Sequence, residues 1–153
     1  LGLPEAWQLP LDVLQDPIWH DSGHQVKGRD GCRVPIPWEP TGPSLGFGET
    51  GSWLPQPPEY AGLAASVQEH DPESTLQLYR HAMAIRRERA GAEGAITWLD
   101  LGADVVGFER SDGMRCVVNM GDESIALPDG DVVLASQPIE ADRLAPDVAV
   151  WIA

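Results

Sequence analysis

Lys27-Gly28-Arg29-Asp30-Gly31-Cys32-Arg33-Val34-Pro35-Ile36-Pro37-Trp38 is the densest polar stretch in the chain. Its glycines let the backbone turn tightly. Arg29, Asp30 and Arg33 put two guanidinium groups and a carboxylate close together, and a proline pair then leads to the indole of Trp38. Two readings stand side by side. Arginine forks and carboxylates bridge adjacent sugar hydroxyls, and an indole face packs on a sugar ring. Equally, an Arg–Asp ion pair braces a loop and does nothing else.

The residues around this stretch explain why it should be a loop. Ten of the 14 prolines and eight of the 16 glycines lie in residues 1–58. Proline removes a backbone donor and fixes φ, which excludes a long helix or a central strand. One short helix is expected at Leu11–Leu14, ended by Asp16-Pro17, with irregular loop elsewhere. Long loops without secondary structure are usually functional or disordered. Four of the six tryptophans, Trp7, Trp19, Trp38 and Trp53, sit here, which a disordered linker would not carry. The expectation is an ordered loop packed against a body not obvious in this chain.

Beyond it the pattern changes. Asp71 and Pro72 read as the cap and first residue of a helix over Pro72–Ala90. Leu76, Leu78, Tyr79, Ala82, Met83 and Ile85 form an apolar stripe at three- and four-residue spacing. Arg86, Arg87 and Arg89 suit the negative end of the helix dipole, and Gly91 and Gly94 stop the helix. Short strands are then expected at Ile96–Leu99, Val105–Arg110, Arg115–Asn119, Ser124–Leu127, Val132–Ala135 and Ala149–Ile152. Ser111-Asp112-Gly113 and Asn119-Met120-Gly121-Asp122 read as hairpin turns. Such strands predict a small antiparallel sandwich, too small to stand without docking onto another domain.

Composition removes several function classes. The chain has 153 residues, with 10 basic and 24 acidic side chains and a formal net charge of −14. Phosphate neutralisation, and with it nucleic-acid binding, is excluded, and an anionic membrane surface is disfavoured. No apolar run reaches the ~20 residues that span a bilayer. The chain begins Leu1-Gly2-Leu3-Pro4 with no leader-like segment and is expected to be part of something longer. Cys32 and Cys116 are expected to be reduced thiols of a cytoplasmic protein. His20 and His24, with Asp16 and Asp21, have metal-ligand residue types but no helical face or downstream ligand set, so no metal site and no cofactor are expected. A Gly-x-Ser-x-Gly elbow and a phosphate-binding glycine fingerprint are both absent.

Taken in order, the motifs resemble one family. Gly28-Arg29-Asp30-Gly31-Cys32-Arg33-Val34-Pro35-Ile36-Pro37-Trp38 resembles the Gly-Arg-Asp-x-x-Arg-x-Pro-x-x-Trp stretch of α-glucosidases in glycoside hydrolase family 13, whose members include oligo-1,6-glucosidases and trehalose-phosphate hydrolases. Leu1-Gly2-Leu3-Pro4-Glu5 resembles the segment just after the family's eighth barrel strand. Leu45-Gly46-Phe47 and Trp53-Leu54-Pro55 resemble its next loop. Leu78-Tyr79-Arg80 with Ile85-Arg86-Arg87 resembles its final barrel helix. Val117-Val118-Asn119-Met120-Gly121 resembles its C-terminal β domain.

The resemblance implies an α+β fragment: a long Pro/Gly-rich loop over residues 1–71, the last barrel helix over 72–92, and an antiparallel β-sandwich domain over 93–153. The missing packing partner would be the N-terminal part of a (β/α)8 barrel. It also implies a retaining glycosidase acting on short α-glucosides, with two reacting carboxyls ~5–5.5 Å apart. Those carboxylates lie upstream of residue 1 in the family, so no catalytic residue is expected here and the chain alone should be inactive. Arg29 would contact substrate near the leaving-group sugar, with Asp30 and Arg33 bracing the loop. Two alternatives stand. One is a carbohydrate-binding β-sandwich module, which needs exposed aromatics where the strand pattern buries Trp98, Phe108 and Trp151. The other is a transglycosylating relative such as a sucrose isomerase or trehalose synthase.

Overall fold

Asp16-Pro17, expected to end a helix, starts one instead. In the computed structural model, which describes residues 1–89 and 94–153, helix α1 spans Pro17–Asp21. The Asp16 carboxylate accepts the Ile18 N–H at 3.0 Å, and proline fits the first helical position because its missing N–H would have no partner there. The segment ahead of it is a single 3-10 turn, Leu11–Val13. Further 3-10 turns at Asp30–Cys32, Pro43–Gly46 and Pro58–Leu63, and a one-turn helix α2 at Ala65–Gln68, interrupt what was expected to be irregular loop.

Two units make up the chain, Leu1–Tyr79 and Arg80–Ala153. The first has its own core of Ala6, Leu9, Leu14, Trp19, Val34, Leu54 and Tyr60. Regular pairing contributes little to holding it. Side chains instead reach far along the sequence to backbone carbonyls. The Tyr60 hydroxyl donates to the Pro4 carbonyl, Gln56 Nε2 to Pro35 at 3.0 Å, and Trp53 Nε1 to Val13 at 2.8 Å. Of the four tryptophans in this unit only Trp19 is buried; Trp7 and Trp38 are 69% and 51% exposed.

Helix α3 runs Thr75–Glu88, shorter at its start than expected. Ser74, not Asp71, caps it: Ser74 Oγ accepts the Gln77 N–H at 3.3 Å, while the Asp71 carboxylate accepts from Glu73 in a separate turn. Gln68 adds a second cap from outside the helix, its Oε1 accepting the Leu76 N–H at 3.0 Å. None of the helix residues is buried, and Tyr79 and Met83 on the apolar stripe are exposed. Ala90 and Gly91, expected at the helix end, lie outside the described residues.

The second unit contains the strands. A five-stranded antiparallel sheet has the order β1 (Thr97–Leu99), β2 (Val105–Glu109), β3 (Arg115–Asn119), β7 (Ala149–Ile152), β5 (Val132–Ala135). The Ser111-Asp112-Gly113 turn joins β2 to β3: Arg110 N–H donates to Met114 O at 2.8 Å, and Gly113 takes φ +82°. Asn119–Asp122, expected to be a hairpin, instead carries the chain to another sheet. Strand β4 is only Ile125–Ala126 and pairs with β6, Arg143–Leu144, which the sequence pattern did not suggest. Asn119, buried at the end of β3, holds this departure: its Nδ2 donates to Glu123 O and Leu144 O, and its Oδ1 accepts the Gly121 N–H.

Alternation puts Val117, Val150 and Ile152 on the buried face, with Leu144 and Val148. The opposite face is apolar too. Trp98, Phe108, Cys116, Trp151 and Leu134 form one cross-strand row. Trp98, expected to be buried, is 67% exposed and meets Phe108 edge to face at 6.0 Å. It sits on a three-residue edge strand with a neighbour on one side only.

Candidate functional site

The Arg–Asp stretch turns around one guanidinium. Asp30 is almost fully buried and opens a 3-10 turn. Its Oδ2 accepts the backbone N–H of Gln15 at 2.7 Å and of Asp16 at 2.8 Å, and its Oδ1 accepts Arg33 Nη1 at 3.1 Å. The same Arg33 nitrogen donates to Asp16 Oδ2 at 2.8 Å. Arg33 therefore neutralises two carboxylates at once. Burial on its own would raise the Asp30 carboxyl, but the two backbone N–H groups and Arg33 outweigh it and hold it below its ordinary value. Asp16 is lowered as well, by the N–H groups of Arg29 and Ile18 against some desolvation, with Arg33 adding to them.

Arg29 behaves differently. Its backbone is fixed, with its N–H donating to Asp16 Oδ2 at 3.1 Å. Its side chain is exposed, and among the described residues its guanidinium makes no hydrogen bond and no ion pair. The Arg29–Asp30 pair weighed from sequence does not form; Asp30 pairs with Arg33. Gly28 is needed where it stands. It has φ +73°, and a Cβ there would come within 2.4 Å of the Asp16 carboxyl carbon.

The proline pair carries the chain onward through its carbonyls. Pro37 O accepts the Ala65 N–H at 3.0 Å and Trp38 O the Ser66 N–H at 3.1 Å, satisfying the first donors of α2. Trp38 itself lines an open cleft of about 460 Å³ with Ile36, Leu76 and Tyr79, and no hydrogen bond or ring contact joins its indole to Arg29 or Arg33. The cleft wall is overwhelmingly apolar, a poor match for a sugar's hydroxyls.

Residues 12–94 match the alpha amylase catalytic domain. The chain belongs to the alpha-amylase family. This is the glycoside hydrolase family 13 resemblance carried by the motifs. A probable alpha-glucosidase of Rhizobium meliloti (strain 1021) is 40% identical over 128 residues, which are 81% of this chain and 23% of that protein. Among solved structures, an alpha-glucosyl transfer enzyme, XgtA, is 32% identical with a TM-score of 0.74, covering 99% of this chain and 31% of the other. The isomaltulose synthase PalI from Klebsiella sp. LX3 shares the fold at 23% identity and a TM-score of 0.67, covering 88% of this chain and 29% of the other. The chain thus spans less than a quarter of the length of the curated relatives it matches.

Within this alpha-amylase family chain, the structure brings Asp30 and Arg33 together and leaves the Arg29 guanidinium open. Asp16 is the participant that the sequence marked only as a metal-type residue and as a helix end. Its signal was the Asp-Pro step, which reads as a helix cap as readily as a helix end. His20 and His24 meet edge to face at 5.7 Å, and His24 packs on Trp19. Among the described residues no group of three or more His, Cys, Asp or Glu is placed to hold a metal ion. Both cysteines are free, Cys32 exposed and Cys116 half-buried. No described helix is long and apolar enough to cross a membrane.

Proposed function

We propose that this chain is the C-terminal portion of an α-glucosidase that hydrolyses short α-linked gluco-oligosaccharides with retention. In this reading residues 1–71 are the loop after the last barrel strand, 72–92 the terminal barrel helix and 93–153 a β-sandwich domain. The uncovered side chains support a missing body. Trp38 and Tyr79, each more than half exposed, line one apolar cleft with Ile36 and Leu76, contiguous surface that suits coverage by a partner. The two unpaired thiols fit a cytoplasmic enzyme. The reacting carboxylates belong to the upstream barrel, so the 153 residues alone turn over no substrate.

One observation carries the assignment of Arg29 to the substrate pocket. The loop around it is locked by Asp16, Asp30 and Arg33, yet its own guanidinium has no partner among the described residues. A fixed backbone presenting a free fork suits recognition of sugar hydroxyls. In the full-length protein, Arg29→Ala is expected to lower kcat/KM on an α-linked glucose disaccharide by about 10²-fold with an unchanged melting temperature. Unchanged kinetics would remove Arg29 from the pocket. Purified alone, the chain should release no p-nitrophenol from p-nitrophenyl α-glucoside, and a rate that tracks the protein through purification would refute the missing-barrel reading.

The similarity to a glucosyl transfer enzyme across almost the whole chain supports a second reading, transfer of glucose to an acceptor other than water. Product analysis separates them. Hydrolysis of an α-linked glucose disaccharide gives free glucose only, and transfer gives new glucosides that increase with acceptor concentration.

A further inference from the structure

We propose that Asp16 is a positioning residue for Arg29: it sets where the guanidinium stands without touching substrate. The inference rests on the placement of Arg29 in the substrate pocket and adds the residue that controls it. Four of the six residues of the Arg29 turn, 28–33, meet this one residue. Asp16 Oδ2 accepts the Arg29 N–H at 3.1 Å and Arg33 Nη1 at 2.8 Å. Gly28 lies so close that a single added carbon would collide with the carboxyl group. The Asp16 backbone N–H donates to Asp30 Oδ2, fixing the residue on the other side of Arg29. Residues 28, 29, 30 and 33 are thus held from one point 12 or more positions away, and that point is itself fixed as the N-cap of α1. The Arg29 carbonyl accepts the Cys32 N–H within the turn itself, and Ala6 and Gln15 hold Gly31 O and Asp30 Oδ2, so among the described residues Asp16 is the outside anchor of Arg29 itself. An arginine fork displaced by even ~1 Å loses paired hydrogen bonds to vicinal hydroxyls.

The cap and the anchor use different oxygens, which makes them separable. Serine is as good an N-cap as aspartate but too short to reach Arg29. Asp16→Ser therefore keeps α1 and releases the loop. In the full-length protein it is expected to lower kcat/KM on an α-linked glucose disaccharide about tenfold, and to leave turnover of p-nitrophenyl α-glucoside, whose leaving group has no sugar hydroxyls, within about twofold. In an Arg29→Ala background, Asp16→Ser should have no further effect. Asp16→Glu, which restores a carboxylate, should recover part of the loss.

The outcomes are distinguishable. If Arg29→Ala changes nothing, the pocket assignment fails and this inference fails with it. If Arg29→Ala is damaging but Asp16→Ser is silent, affects both substrates equally, or multiplies with Arg29→Ala, then Asp16 is structural only and the Arg29 assignment stands. Should Asp16→Ser not fold, Asp16→Asn carries the same cycle. Loss of folding in both would make Asp16 a fold-holding residue and overturn the proposal.

Discussion

The two units solve the same problem in opposite ways. Residues 97–152 satisfy their backbone through ladders, with neighbours set by register and two faces set by alternation. Residues 1–74 have almost no ladders. Beyond the backbone bonds of turns and short helices, their backbone is satisfied by buried carboxylates, an indole and a phenol that reach across 14, 40 or 56 positions. A sheet distributes its stability over many equivalent bonds, whereas a polar-braced loop concentrates it in a few side chains. The loop thereby gains control over exposed groups such as Arg29, and it becomes sensitive to single polar substitutions, where the sheet unit is sensitive to cavities in its core.

The largest expected effect lies in the sheet unit, where cavities cost most. Leu144 is fully buried beneath the sheet, in one cluster with Val117, Val148, Val150 and Ile152. Leu144→Ala should destabilise the protein by about 3–4 kcal/mol in urea unfolding. A loss near ~1 kcal/mol would mean that the unit collapses around the gap and is packed loosely.

In the loop unit the matching substitution is polar. Asp30→Ala leaves the Asp16 N–H buried without an acceptor and removes one of the two carboxylates on Arg33. The expected loss is about 2–3 kcal/mol by the same measurement. An effect below about 0.5 kcal/mol would show that water replaces the carboxylate and would break the contrast. Acid should act on this unit in the same sense. Asp16 and Asp30 both sit below the ordinary carboxylate value of 3.8 in the folded protein. Their stabilisation is complete above that value and is lost as pH falls below it through the lower folded values. Unfolding followed through Trp19, buried in this unit's core, should therefore steepen below about pH 4, and Asp30→Asn should reduce that slope. A Trp19 signal that stays independent of pH down to about pH 2 would count against the carboxylate bracing.

The contrast also explains what was legible in the sequence. Strands β3, β5 and β7 were readable to the residue, because alternating apolar side chains and Ser-Asp-Gly turns are local signals. Strand β6 was not, because two residues carry no period. Pairing of β4 with β6 depends on a buried Asn119 rather than on a turn. In the loop unit the tryptophans pointed to an ordered structure, and the Arg–Asp stretch marked where its polar bracing lies. Neither could reveal that Asp16 closes on Arg29 and Arg33, since the partners stand 13 and 17 positions away with no local pattern to mark them. The start of α3 was misplaced for a different reason: Asp71-Pro72 and Ser74 are competing local caps three residues apart, and Gln68, whose Oε1 accepts the Leu76 N–H, adds to the later one.

The smallest expected difference compares two exposed tryptophans. Trp53 is 49% exposed, yet its indole N–H donates to Val13 across the loop unit. Trp98 is 67% exposed, with the Phe108 ring against it. Phenylalanine keeps an aromatic ring at either position and removes the N–H. Trp53→Phe should cost about 1 kcal/mol, the net worth of one long-range hydrogen bond. Trp98→Phe should stay within about 0.5 kcal/mol, as for other surface changes that break no bond. The informative reversal is a larger loss at Trp98. It would mean that the apolar row Trp98, Phe108, Cys116, Trp151 and Leu134 is covered in solution, and the effect of removing that indole would then measure the body that covers it.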